Sequence, residues 1–320
     1  MKKLTVVIPA YNEEESIKFV INSVPKSIGN INVSVVVVDD GSTDLTVTIA
    51  RKAGALVVSH NQNYGVGKAF QSGLNKALEM NADLMVNIDA DGQFDPQEIH
   101  KLLKPIILGK ADYVISDRFS NGTGKLSIPL NMPIEKYYGN LIMSTFISLL
   151  AEQKFYDVSC GFRAYSRKAM LMLDLMGKFT YTQESIIDLA AKGLRIASIP
   201  VKVKYFPSRK SKIANNLFMY SLRSLKIIFR TFRDYRPLLF FFYVSIIPLI
   251  ISVLSGVFLT THYYRTGTFT PYKIVGFIFI YFSACTFGLW ALGFMADMFT
   301  RLRIYQEKML YYQKLNYYNK

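Results

Sequence analysis

The sequence predicts an α/β fold: a doubly wound, mostly parallel sheet, followed by a two-helix transmembrane hairpin. Three observations carry this. Over the first 120 residues, short apolar runs alternate with helical patterns. Polar clusters rich in carboxylates fall at the ends of those runs. Near the C-terminus, two long apolar runs, Leu238–Thr261 and Ile274–Met298, flank a short polar connection.

The candidate strands are Thr5–Ile8, Val35–Val38, Leu56–Val58, Leu84–Ile88 and Tyr113–Ser116. Strands buried on both faces read as such continuous apolar runs. Helical patterns lie between them at Glu14–Ser23, Thr43–Ala53, Gly67–Met80 and Pro96–Leu108. The last has a clear start signal, with Asp95 as N-cap, Pro96 at the first position and Glu98 at the third. A repeated β-α-β order implies a doubly wound sheet with ligands at the carboxyl ends of its strands. Tyr11-Asn12-Glu13, Asp39-Asp40-Gly41-Ser42 and Asp89-Ala90-Asp91 follow the first, second and fourth runs. Beyond Ser120 comes a loop, Asn121–Gly124, and then a helical pattern over Ile134–Ala151 that suits the core and a membrane interface equally well. A second amphipathic pattern, Ile213–Tyr235, interleaves apolar residues with Arg and Lys, as in helices lying in the interface plane.

Each terminal apolar run is long enough to cross a bilayer, which takes roughly 20 residues of helix. Neither contains Lys or Arg, and the only carboxylate is Asp297 at the end of the second. The formal charge is +15. Nucleic-acid binding is one meaning of such a charge, but here the positives crowd beside the apolar runs. Arg223, Lys226, Arg230, Arg233 and Arg236 precede them, and Arg301, Arg303 and Lys308 follow. Basic juxtamembrane residues attract anionic headgroups and set topology, so both termini and the catalytic domain are expected in the cytoplasm. No secretory signal follows Met1-Lys2-Lys3. Cys160 and Cys285 lie in different settings, so no disulfide is expected, and three scattered histidines form no zinc cluster.

Asp89 and Asp91, at i and i+2 after a buried strand, can converge on one hard cation, Mg²⁺ or Mn²⁺. Gln93 has the same parity and could add an amide oxygen. Asp39 and Asp40 can accept hydrogen bonds from a nucleobase or ribose, and the same segment is good turn and cap chemistry. Gly65-Val66-Gly67-Lys68 has the wrong spacing for a phosphate loop and reads as a loop entering a helix.

Four motifs together resemble family 2 glycosyltransferases of the GT-A fold. They are Ile8-Pro9-Ala10-Tyr11-Asn12-Glu13, Val38-Asp39-Asp40-Gly41-Ser42-Thr43-Asp44, Asp89-Ala90-Asp91-Gly92-Gln93 and Asp157-Val158-Ser159-Cys160-Gly161-Phe162-Arg163. The last motif, with Glu184, Ile199-Pro200 and the terminal hairpin, is similar to the polyprenyl-phosphate glycosyltransferases, among them dolichol-phosphate mannose synthase and bacterial glucosyl-carrier-lipid synthases. The resemblance covers about residues 4–212. It implies that Pro9, Tyr11, Glu13, Asp39 or Asp40, and Asp89 hold the nucleotide-sugar. It implies that Asp89, Asp91 and Gln93 hold the metal, and that Asp89, Asp91, Arg118 and Arg209 carry catalysis. Arg118, Arg209, Lys136 and Asn140 would form the acceptor-phosphate side, with Lys136 weaker than the two arginines because an ammonium lacks the guanidinium fork. Arg163, Arg167 and Lys168 are further candidates, equally readable as solvated surface charges.

The expected organisation is a Rossmann-like GT-A domain at 1–212, an amphipathic juxtamembrane helix at 213–236, a transmembrane hairpin at 237–299 and a basic cytoplasmic tail at 300–320. The expected reaction is inverting transfer from a nucleoside-diphosphate sugar to a dolichyl or undecaprenyl phosphate at the cytoplasmic face. The Asp-Asp-Gly-Ser-Thr-Asp form favours a UDP-sugar over GDP-mannose. Rival readings are transfer to another lipid and a non-catalytic membrane scaffold or flippase accessory. A processive polysaccharide synthase is excluded, because its Gln-x-x-Arg-Trp motif needs a tryptophan outside the spans and the only one is Trp290. No nucleic-acid partner is expected, and self-association through the hairpin is compatible with the pattern.

Overall fold

The structure is a computed structural model describing residues 1–120, 126–174, 181–205, 229–230 and 232–318. Arg209 and most of the expected amphipathic helix 213–236 therefore lie outside the described residues.

The strands are β1 (Lys2–Ala10), β2 (Ser27–Ile28), β3 (Ile31–Asp39), β4 (Leu56–Ser59), β5 (Leu84–Asn87), β6 (Tyr113–Asp117), β7 (Arg163–Ser166) and β8 (Ile196–Pro200). They form one sheet in the order β2-β3-β1-β5-β7-β6-β8, with β4 beside β3. β4, β3, β1 and β5 run parallel, as do β6 and β8. All five strands expected from the apolar runs are present. β2, β7 and β8 have no apolar run of comparable strength. β7 enters between β5 and β6, antiparallel to both, so the sheet is mixed.

The helices of the first unit are α1 (Ile17–Ser23), α2 (Thr46–Lys52), α3 (Val66–Glu79), α4 (Ile99–Ile107), α5 (Ile134–Ala151), α6 (Arg167–Met172) and α7 (Tyr181–Ala191). The core is aliphatic along the middle strands, with Val6, Ile8, Val37 and Val86 wholly buried. α3 lies close on the sheet because position 73 is glycine: a Cβ there would stand 2.2 Å from Val7 Cγ1. The Asp95 cap is made, its carboxylate accepting from Gln97 N at 2.9 Å. Glu98 does not close a capping box. It turns instead to Lys202 N and to the Lys101 ammonium. Gly65 enters α3 with φ 95°, in the left-handed region open to glycine, as the loop-to-helix reading expected.

The chain divides into two compact units, Met1–Leu217 with Leu310–Lys320, and Phe218–Met309. The second contains most of the hairpin helices, α8 (Pro237–Thr266) and α9 (Lys273–Tyr318). Both are long and apolar enough to cross a membrane. They pack as small-residue contacts and polar bridges allow. Ser252 and Ser283 share a hydrogen bond of 2.7 Å, and the Trp290 indole N–H donates to Ser245 Oγ at 2.9 Å. α9 continues as helix through the segment expected as a tail, to Tyr318.

Candidate active site

The carboxyl ends of β1, β3, β5 and β6 carry the functional side chains, because parallel strands deliver their following loops to one edge. At the β1 and β3 ends, two loops are stitched together: Asn12 N donates to Ser42 Oγ at 2.9 Å, Thr43 N to Asn12 Oδ1 at 2.9 Å, and Glu13 N to Thr46 Oγ1 at 2.8 Å. Tyr11 stands exposed at the rim. Glu13 accepts from Ser16 Oγ at 2.9 Å, at the start of α1. Pro9 is half-buried in β1, opposite Val38.

The two adjacent aspartates have different jobs. Asp40 is turned inward: its carboxylate accepts from Tyr64 N at 3.0 Å and Gly65 N at 2.7 Å, and meets His60 Nδ1 at 2.7 Å. His60 Nε2 in turn lies 2.9 Å from Ser72 Oγ. Asp40 thereby pins the loop into α3. Asp39 spends one oxygen on Ser42 N at 3.1 Å, and the other makes no hydrogen bond to a described residue.

Asp89 follows β5 and sits half-buried over Gly161. A Cβ at Gly161 would lie 2.6 and 2.8 Å from the Asp89 carboxylate oxygens and 2.8 Å from the Tyr181 hydroxyl, so only glycine fits beneath that carboxylate. Burial, then the neighbouring Asp91 charge, raises the Asp89 carboxyl above its usual range, while Arg118, Arg163 and Lys136 pull it back. Asp91 accepts from Gln93 N at 3.0 Å, and Gln93 O accepts from Lys204 N at 2.9 Å, so Gln93 is tied through its main chain. Below, Asn87 Nδ2 donates to Gly161 O at 3.0 Å and to Tyr181 Oη at 2.9 Å, while its buried Oδ1 has no partner.

A divalent cation fits these residues. Hard dications take oxygen ligands and commonly use one or two carboxylates with substrate phosphates and water. Asp89 and Asp91 supply the carboxylates, and the mutual repulsion that raises Asp89 is what a cation would relieve. Among the described residues no group of three His, Cys, Asp or Glu could hold a metal, so these two carboxylates are the charged ligands the described residues offer.

On the cationic side the expected residues have the following surroundings. Arg118 is paired with the wholly buried Asp157: Nε to Oδ2 at 2.6 Å and Nη2 to Oδ1 at 2.9 Å, with Ser159 Oγ and the Tyr205 hydroxyl taking two more of its five N–H groups. Asn140, expected at the acceptor, is buried. It accepts from Ser159 Oγ at 2.5 Å and donates to Tyr156 O at 3.0 Å, bracing the turn that holds Arg118. Lys136, at the start of α5, has its ammonium 5.9 Å from the Tyr205 ring centre and makes no hydrogen bond or ion pair to a described residue. Desolvation and the Arg118 charge lower its pKa, while the Asp91 and Asp89 charges act in the opposite direction.

Two further polar residues near the site are buried. Arg163 is wholly buried, where a solvated charge was an equal reading. Cys160 is a free, buried thiol beside Ser116 Oγ at 2.7 Å, pushed up to about 12 by burial, which suits packing rather than nucleophilic work. Asp157 and Ser159, quoted in a motif, were given no role. Their signal was a carboxylate and a hydroxyl two residues apart before a glycine.

Residues 5–171 match the family described as Glycosyl transferase family 2. The chain is 35% identical over 225 residues to the UDP-N-acetylglucosamine–dolichyl-phosphate N-acetylglucosaminyltransferase of Methanococcus voltae, a match covering 64% of this chain and 86% of that relative. It is 28% identical over 210 residues to the polyprenol monophosphomannose synthase of Mycolicibacterium smegmatis, covering 62% and 77%. Among solved structures, glucosyl-3-phosphoglycerate synthase from Mycobacterium tuberculosis, in complex with Mn²⁺, UDP and phosphoglyceric acid, superposes with a TM-score of 0.56 at 23% identity, covering 73% of this chain and 78% of that one. The fold is the GT-A glycosyltransferase fold.

Proposed function

The chain belongs to glycosyl transferase family 2, and from that premise we propose that it transfers a sugar, with inversion, from a UDP-sugar to a polyprenyl phosphate at the cytoplasmic membrane face. The observation that carries this is the Asp89–Asp91 pair at the carboxyl end of β5, held over Gly161, with the Lys136 ammonium, which makes no hydrogen bond or ion pair to a described residue, within its electrostatic reach. One side suits a metal-bound diphosphate and the other an incoming anion. When bound, the dication screens the leaving diphosphate.

The chain's own residues supply the rest. Asp39, with one oxygen free of described partners, accepts from the nucleoside in this reading, with Tyr11 at the rim. A lipid phosphate needs no strong general base, because its second pKa is about 6 and it is mostly dianionic near neutral pH. Lys136 holds that phosphate and offsets its repulsion by the donor. Positioning two anions for in-line attack is then the main task. The UDP preference is supported by the Methanococcus relative's donor and by the UDP carried in the fold neighbour.

A lipid acceptor is supported by α5, which is apolar on both faces. Ile147 and Leu150 are buried together with Asn140 and Ser144, while Ile134, Tyr138, Ile142 and Leu149 are 60, 56, 70 and 71% exposed along one stripe. A large exposed apolar stripe calls for a cover, and a bilayer surface provides it for a chain with two candidate spans.

Two experiments test the proposal. Asp89→Asn and Asp91→Asn should each lower transfer to polyprenyl phosphate by about 100-fold, and chelation should do so reversibly. Full activity of either variant in EDTA would overturn the metal assignment, and a panel of radiolabelled UDP- and GDP-sugars would decide the donor. For topology, reporter fusions at Arg265 should read the far side of the membrane and fusions at Lys320 the cytoplasmic side. The reverse pattern would separate the active site from its cytoplasmic donor.

A further inference from the structure

Arg163 is wholly buried and makes no ion pair with a described carboxylate. All its described acceptors are neutral. Nε donates to Cys160 O at 2.6 Å and Nη2 to Val158 O at 2.7 Å. Nη1 donates to Thr182 O at 2.5 Å, to Ser185 Oγ at 3.0 Å and to the Tyr113 hydroxyl. A buried guanidinium is costly unless paired. For packing alone, an apolar side chain in this place would be the more stable choice. What the fork does instead is clamp the short turn 158–161 from inside.

That turn serves both halves of the site. At one end, Asp157 and Ser159 hold Arg118. At the other, Gly161 lies directly under the Asp89 carboxylate and is bonded through its carbonyl to Asn87, the cross-strand partner of Arg163. We propose that Arg163 is a positioning residue that sets the height of the Gly161 cradle, and through it the orientation of Asp89 towards the divalent cation and the donor diphosphate. The inference rests on the donor-site reading above. A lysine keeps the charge but loses the fork, since one ammonium cannot reach the Val158 and Cys160 carbonyls and the Thr182 carbonyl together.

The test is Mn²⁺ affinity of the full-length, detergent-solubilised protein, measured by titration with and without UDP, well below each variant's melting midpoint. Groups that orient a metal ligand typically control affinity by roughly 10–100-fold. Arg163→Lys should therefore weaken Mn²⁺ binding by at least about tenfold in the folded protein. Tyr113→Phe removes one acceptor from the fork while leaving the backbone untouched, and should weaken binding by a smaller factor of about three. A role confined to stability would lower the melting midpoint of both and leave the Mn²⁺ dissociation constant of the folded protein where it was. That result for Arg163→Lys overturns the inference, and if Arg163→Lys does not fold, the same result for Tyr113→Phe overturns it. Failure of the wild type to bind Mn²⁺ with UDP would instead remove the donor-site reading, and the inference with it.

Discussion

Gly161→Ala should fold and yet lose transfer by about 100-fold or more. The added methyl would lie within 2.8 Å of both Asp89 oxygens and the Tyr181 hydroxyl, closer than carbon and oxygen can approach without a shift. Tyr181 cannot retreat easily, being stacked on Phe70 at 4.3 Å between ring centroids and bonded to Asn87. The short Asp89 side chain must therefore rotate, which is the one movement a metal site tolerates least. Overpacking of this kind typically costs about 1–3 kcal/mol, so thermal unfolding should move by several degrees and no further. Donor turnover, Mn²⁺ affinity and melting midpoint measured on one preparation separate the effects. Wild-type affinity in Gly161→Ala would show that Asp89 is not the ligand the cradle serves.

The second large effect divides the cations. Arg118→Ala strands the wholly buried Asp157 carboxylate, and breaking a buried ion pair on one side costs about 3–5 kcal/mol. A sharp drop in stability should accompany any loss of transfer. Lys136→Ala strands nothing, since its ammonium makes no described ion pair. It should leave the melting midpoint within about a degree and raise the KM for polyprenyl phosphate roughly tenfold, as expected for one lost charge-assisted contact. Donor affinity should hardly change. If Lys136→Ala weakened donor binding and spared the acceptor KM, Lys136 would belong to the diphosphate. If Arg118→Ala altered only the acceptor KM at unchanged stability, the Asp157 pair would not be structural.

This order reverses the one read from side-chain chemistry alone. There, the guanidinium fork placed Arg118 ahead of Lys136. The fork is used on Asp157, while the Lys136 ammonium makes no hydrogen bond or ion pair to a described residue. A sequence motif names residue types near a site and is silent on which of two anions an arginine meets. The same holds for Asp39 and Asp40. Adjacent in sequence and both buried, they meet different partners: Asp39 the Ser42 amide, and Asp40 the His60–Gly65 loop.

The parts of this protein that its sequence alone determined are those governed by local pattern. Five parallel strands, the helices between them, the loop that enters α3, the Asp95 cap and the two long apolar helices all follow from short-range periodicity and end signals. Asp89 and Asp91, the carboxylates proposed for the metal, are visible for the same reason, since strand ends in a doubly wound sheet are where ligands bind. Only the tertiary structure decided what depends on antiparallel insertion of β7 between β5 and β6. That step brings Gly161 beneath Asp89 from 72 positions away in the chain, buries Arg163 among neutral acceptors, and delivers Asp157 to Arg118. β7 is four residues long and carries an arginine at its start, so it has no apolar run to announce it. Its position is set by cross-strand bonds and by close packing that only glycine allows, and neither is a property of any local stretch of sequence.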